Sequence, residues 1–255
     1  LCLIALAWRA RPDLPLLVAA NRDEWRERPT QPAHWWPDHP GIFAGRDLQA
    51  GGTWMGITRA GRFAAVTNFR DPSDKRASAK SRGALVSGFL LSTESPEAFL
   101  RGLAASARDY NGFTLLASDG LSLWSFASRE GVPREVPAGV HALSNHLLDE
   151  PWPKVTQARE AMTLAVAERD PEPSLEAFLS RSTPVADEHL PVTGVGLAWE
   201  RRLSPPLIVG EDYGTRSSTL LRVDAHGAQH FREITRGADG RVVSTTTNHN
   251  DRRIP

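Results

Sequence analysis

The start of the chain restricts its fold more than any other stretch: two short apolar runs, split by a proline turn and closed by a block of polar residues. Residues 2–8 read Cys-Leu-Ile-Ala-Leu-Ala-Trp. The run is too short for a typical helix and no N-cap precedes it, so it reads as a strand. Residues 9–15 contain Pro12 and Pro15 and form a turn. Residues 16–20 are apolar again and stop at Asn21, Arg22, Asp23 and Glu24. Paired as a hairpin, the second strand returns its end to the start of the first. Asn21 and Asp23 then fall beside Cys2, the single cysteine of the chain.

The same signals recur further on. Hairpins are expected over residues 53–68, over 113–126 around Asp119-Gly120, and over 217–234, with shorter strands at 42–44 and 140–144. Helices are expected over 82–91, after the Ser95-Pro96 cap, over 151–169, and from a Ser174 cap to 179. Residues 26–40 hold Pro29, Pro32, Pro37 and Pro40 and read as an ordered loop, too proline-rich for a central strand. Residues 71–80 read as a mobile loop, 183–206 as loop, and 237–255 as a frayed polar tail. There is no βαβ alternation, repeat or linker. One α+β domain over residues 1–255 follows, with antiparallel sheets and helices outside.

Charge excludes several partners. Lys+Arg and Asp+Glu are 30 each, so nothing draws the chain to nucleic acid or an anionic membrane. One cysteine excludes an internal disulfide and fits a reducing compartment; the expected location is cytoplasmic. No apolar run reaches membrane-spanning length and the start lacks a basic n-region, so neither membrane insertion nor a signal peptide is expected. The eight histidines show no metal-ligand spacing. No metal or cofactor is expected.

Cys2 carries the chemistry. A terminal thiol needs no histidine, because a free α-amine with a pKa near 8 can take its proton. That requires removal of the preceding residue. Leu1 stands there, which is expected to be Met in the cell, read from a non-standard start codon and then removed. A lone cysteine on an apolar strand is equally what core packing uses. Asp23 orients the nucleophile, with Asn21 and Arg22 holding substrate or scaffold; the same residues also suit a structural ion-pair cluster. Asn145, after an apolar strand, is placed to donate to an oxyanion, or serves as a turn residue. Asn68 has the same two roles open to it. Arg46 and Arg216 suit a substrate carboxylate or phosphate, or an internal acid.

Several motifs in order resemble one family. Cys2-Leu3-Ile4, Asn21-Arg22-Asp23-Glu24, Arg28-Pro29-Thr30, Gly51-Gly52-Thr53-Trp54-Met55-Gly56, Thr67-Asn68, Tyr110-Asn111-Gly112-Phe113, Leu143-Ser144-Asn145 and Gly214-Thr215-Arg216 look like the NRDE family, the transport and Golgi organisation family. The resemblance covers nearly the whole chain. It implies a fold like that of N-terminal nucleophile hydrolases, a four-layer αββα sandwich, especially the penicillin V acylase and bile-salt hydrolase group. In that group a processed N-terminal Cys attacks an amide, an Asp orients it and an Asn holds the oxyanion. By strand position these roles fall on Cys2, Asp23 and Asn145. The group also carries an Arg three residues before the Asp, where this chain has Ala20. The implied activity is cleavage of a C–N amide or thioester. The alternative is a non-catalytic haem or acyl-CoA/lipid carrier using the same cleft, since family members are linked to haem trafficking and acyl-CoA metabolism.

Overall fold

The computed structural model describes residues 2–250; Leu1 and residues 251–255, and with them the expected removal of Leu1, lie outside the described residues. The two N-terminal runs pair as a hairpin, β1 (Cys2–Trp8) and β2 (Leu16–Trp25), with Cys2 opposite Arg22 and Leu3 opposite Asn21. The chain continues through β3 (Thr30–Trp35), β4 (Ile42–Asp47), β5 (Met55–Thr58) and β6 (Phe63–Asn68) to α1 (Gly83–Leu91) and α2 (Pro96–Ala104). Next come β7 (Phe113–Ser118), β8 (Leu123–Ala127), β9 (Pro133–Glu135), β10 (Gly139–Leu143), α3 (Pro153–Val166), α4 (Glu172–Leu179) and α5 (Leu197–Leu203). The last strands are β11 (Tyr213–Val223), β12 (Gln229–Arg236) and β13 (Val242–Asn250).

These strands form two antiparallel sheets, ordered β10-β1-β2-β11-β12-β13 and β3-β4-β5-β6-β7-β8-β9. Strand periodicity explains the layers. Ile4, Leu6, Trp8, Leu16, Val18 and Ala20 face the other sheet, where they meet Phe43, Met55, Ile57, Phe63 and Ala65. Alternate residues Leu3, Ala5, Ala7, Leu17 and Ala19 face α3 and α4. Both faces of β1 are covered, so its sequence is a continuous apolar run rather than an alternation. On the far side, Ala64, Val66, Leu115 and Ala117 carry α1 and α2. The result is the expected four-layer αββα sandwich. Each large side chain buried in it contributes about 1.5–3 kcal/mol. Ser95 caps α2 as expected, its Oγ accepting from Ala98 N at 3.2 Å. Among the described residues no helix is long and apolar enough to cross a membrane.

Several local expectations change. Residues 30–35 of the proline-rich loop form β3, which tolerates Pro32 because it is an edge strand. Residues 242–250 are not a frayed tail: they pair along β12 as the other sheet's edge. α5 forms within the expected loop 183–206. Ser174 lies inside α4 rather than capping it. Residues 71–80 hold a 3₁₀ turn at Pro72–Asp74 and are tied to the next segment, with Asp74 accepting from Gly112 N at 2.6 Å and Arg76 donating to Arg108 O at 2.8 Å.

Candidate active site

The inter-sheet apolar rows end at Ala20 and Ala65, and beyond them the polar strand ends enclose a cleft of about 460 Å³. The period of β2 divides the Asn-Arg-Asp-Glu string between two layers. Arg22 and Glu24 continue the inter-sheet row and line the cleft. Asn21 and Asp23 continue the row that faces the helices.

Cys2 is 8% exposed and lines the cleft. Its carbonyl accepts from Ser144 Oγ at 3.1 Å. Burial pushes the thiol above its ordinary value and the Asp23 charge adds to this. The Asp23 backbone N–H, donating to sulfur, and the Arg22 guanidinium act the other way without winning. The thiol is therefore protonated at neutral pH and needs a base before it can attack.

Asp23 turns its carboxylate into the helical layer. Thr215 Oγ1 donates to Oδ1 at 2.7 Å, and Lys154 Nζ stands 3.5 Å from Oδ2. Asn21, fully buried, donates from Nδ2 to Leu179 O at 2.9 Å and Pro206 O at 2.8 Å, so it ties the strand to α4 and does not line the cleft. Asn145 is also fully buried; its Nδ2 donates to Asn68 O at 3.0 Å. Asn68 itself lines the cleft.

Arg216 owes its position to a β-bulge. Thr215 pairs with Asp23 and Ser217 with Arg22, leaving Arg216 as the extra residue. Its guanidinium lines the cleft and donates to the carbonyls of Trp25, Arg26 and Arg28 at 2.9, 3.3 and 3.1 Å. Arg46 also lines the cleft but grips Asp38 with two bonds of 2.6 and 2.7 Å, holding that carboxyl down at about 2.

The structure thus gathers Cys2, Arg22, Asn68, Arg46 and Arg216 around one cleft, brings Asp23 to it by its backbone, and sets Asn21 and Asn145 behind it. Two further residues were missed from the sequence. Arg82, next to α1, lines the cleft and donates to Gly112 O at 3.1 Å. It is brought there by Gly52 and Gly83, whose backbones touch so closely that a Cβ on Gly52 meets the Gly83 carbonyl carbon at 2.5 Å. Lys154 was legible only as a lone cation on the apolar stripe with Ala158 and Met162. Among the described residues no group of three His, Cys, Asp or Glu side chains is arranged to hold a metal ion.

Two antiparallel sheets between helical layers, with a strand-end cysteine on a polar cleft, place the chain among αββα sandwich proteins. It belongs to the Transport and Golgi organisation 2 family, whose model matches residues 1–238. It is 33% identical to the Transport and Golgi organization protein 2 homolog of Bos taurus, across 97% of this chain and 98% of that one. To the Homo sapiens homolog it is 31% identical, covering 91% and 92% of the two chains. Among solved structures it is similar to the mutant C2A conjugated bile acid hydrolase from Clostridium perfringens, with a TM-score of 0.43 and 10% identity over 97% of this chain and 96% of that one.

Proposed function

We propose that the chain is an N-terminal cysteine hydrolase that cleaves a C–N amide, or a thioester, through an acyl-enzyme on Cys2. The observation that carries this reading is the seat of Cys2: at the end of β1, paired opposite Arg22 on β2 and lining the cleft. A thiol pushed up by burial needs a nearby base. Removal of the preceding residue supplies one, the α-amine of Cys2 itself.

The amine takes the thiol proton as sulfur bonds to the substrate carbonyl carbon, and the carbonyl electron pair moves onto oxygen. Asn68 donates to that oxyanion, and Asn145 braces the Asn68 carbonyl from behind. When the tetrahedral intermediate collapses the C–N bond breaks, and the ammonium returns its proton to the leaving amine; a thioester loses a thiol in the same way. Water, giving a proton to the amine, then attacks the acyl-cysteine. Breaking the C–S bond releases the acid, and the ammonium returns its proton to sulfur to restore the thiol. Asp23, held by Thr215 and Lys154, is a positioning residue that keeps the strand end on the sulfur.

The test is intact mass after incubation with a panel of amides and acyl thioesters. The reading expects a mature chain beginning at Cys2 and an acyl adduct that Cys2→Ala abolishes. A mature chain that keeps any residue ahead of Cys2, or no adduct from any compound, sinks it. The alternative, a haem or acyl-CoA/lipid carrier in the same cleft, expects stoichiometric, reversible binding that survives Cys2→Ala.

A further inference from the structure

The cleft around Cys2 carries more positive charge than its own acids neutralise. Some of its charged residues are paired elsewhere: Arg46 with Asp38, Lys80 with Asp109, and Asp23 with Lys154. What remains is four guanidiniums, on Arg22, Arg28, Arg82 and Arg216, facing the carboxylates of Glu24 and Asp47. Asp47 serves Arg28, at 2.6 Å. Glu24 makes only long ion pairs, 3.7 Å from Arg22 and 4.0 Å from Arg28, and its Oε1 accepts from Trp25 N at 2.9 Å. Among the described residues no carboxylate lies within ion-pair distance of Arg82 or Arg216. Arg82 has the Gly112 carbonyl; Arg216 has backbone carbonyls and Thr30 Oγ1. Glu233 is buried, accepts from Ala33 N at 2.7 Å, and is pushed toward its neutral form by burial. The excess is therefore two positive charges, or one with Glu233 ionised.

Partly desolvated cations without counter-charges are costly, and the cost is recovered when an anion enters. Burial lowers the pKa of both Arg82 and Arg216, which marks how far they are withdrawn from water, yet a guanidinium stays charged. Of the cleft arginines, Arg46 is saturated by its bidentate acid, whereas Arg82 spends one bond on one carbonyl and keeps its other donors. It also shares an electrostatic neighbourhood with Cys2 and Glu24.

We propose that Arg82, with Arg22 and Arg216, forms an anion-recognition site beside Cys2, so that the compound acted on carries a carboxylate or phosphate close to its reacting acyl carbon. The site deepens the hydrolase reading and rests on it only for the acyl nature of the reacting carbon. The anion preference itself is measurable without turnover.

The experiment compares alkylation of Cys2 by iodoacetate and by iodoacetamide, reagents of similar size that differ by one negative charge. In the wild-type chain iodoacetate gains relative to iodoacetamide and its rate saturates with concentration. In Arg82→Gln the iodoacetate-to-iodoacetamide ratio falls at least tenfold; in Arg82→Lys, which keeps the charge, it falls less. Protection of Cys2 by inorganic phosphate or by succinate, read with iodoacetamide, tells a phosphate from a carboxylate. Circular dichroism and melting confirm that the variants are folded. A ratio unchanged in Arg82→Gln overturns the site. So does failure of both reagents to label Cys2 combined with no calorimetric binding of phosphate or succinate. Charge-selective alkylation without consumption of any acyl compound keeps the site and removes the hydrolase.

Discussion

Lys154 reaches from the first turn of α3 to Asp23 on β2, its Nζ 3.5 Å from Oδ2, with the two side chains 5% and 0% exposed. A cation in a helix's first turn opposes the helix dipole, and burial adds a desolvation cost that pulls the ammonium below its ordinary value. The buried carboxylate opposite offsets these costs, helped by the Leu203 carbonyl, which accepts from Nζ at 3.4 Å. Removing Lys154 takes a counter-charge from the buried Asp23 carboxylate, which keeps its bond from Thr215 Oγ1. Lys154→Met is expected to lose about 3–5 kcal/mol. The double variant Lys154→Met/Asp23→Asn, with neither charge, is expected to regain more than half of that. Urea unfolding of the four chains measures it, and simple additivity of the two single losses contradicts the pairing.

Asn21 binds the carbonyls of Leu179 and Pro206 with one amide nitrogen, out of reach of water. Truncation to Ala leaves both acceptors bare, at about 1–3 kcal/mol for each. An unfolding free energy within about 0.5 kcal/mol of wild type, the ordinary range for a surface substitution, is inconsistent with this role.

The hairpin that brings the polar block back to Cys2 was legible because length, proline and the abrupt end of apolarity all agreed. The division of that block was not read out. Once β2 is known to be covered on both faces, its period alone sends Asn21 and Asp23 to the helices and Arg22 and Glu24 to the cleft. β13 was hidden because its residues, Val-Val-Ser-Thr-Thr-Thr-Asn-His-Asn, are exposed along an edge and show no apolar alternation. Arg82 was hidden for a different reason. Its place depends on Gly52 meeting Gly83, a contact between segments about 30 residues apart that no local pattern encodes.

That contact makes a prediction of its own. A methyl group on Gly52 meets backbone atoms of Gly83 at 2.5 and 2.7 Å, which cannot swing aside as a side chain would. Gly52→Ala is expected to cost about 1–3 kcal/mol as overpacking. It is also expected to shift Arg82 and lower the iodoacetate preference of Cys2. Gly102, inside α2 with nothing within 4 Å of a built Cβ, is the control. There Ala is expected to stabilise by about 0.5–1 kcal/mol through helix propensity. Thermal melts of both variants decide the matter, and similar shifts in Tm contradict it.

His141 gives the fold a pH dependence whose sign can be worked out. Its Nδ1 lies 2.7 Å from Asp149 Oδ2 and its Nε2 2.9 Å from Pro137 O. Both partners are acceptors, so the ring satisfies both only as the doubly protonated imidazolium. Burial lowers the histidine, but the bonds to Asp149 and Pro137 outweigh it and the net shift is upward. Asp149 is raised by burial and lowered more by His141 and the Ala142 N–H, with a net downward shift. A raised histidine stabilises fully below its unfolded value of about 6.5, and this is lost as pH climbs through the folded value. A depressed aspartate stabilises above about 3.9, and this is lost as pH falls through its folded value. The pair therefore contributes most between about pH 4 and 6.5. Above that window the native state binds the extra proton, so the slope of stability with pH is negative, at most about 1.4 kcal/mol per unit for one proton. His141→Gln removes the titration while keeping one donor. Unfolding free energies measured from pH 5.5 to 8.5 should decline less steeply in the variant than in the wild type, and parallel curves would show that the imidazolium contributes nothing.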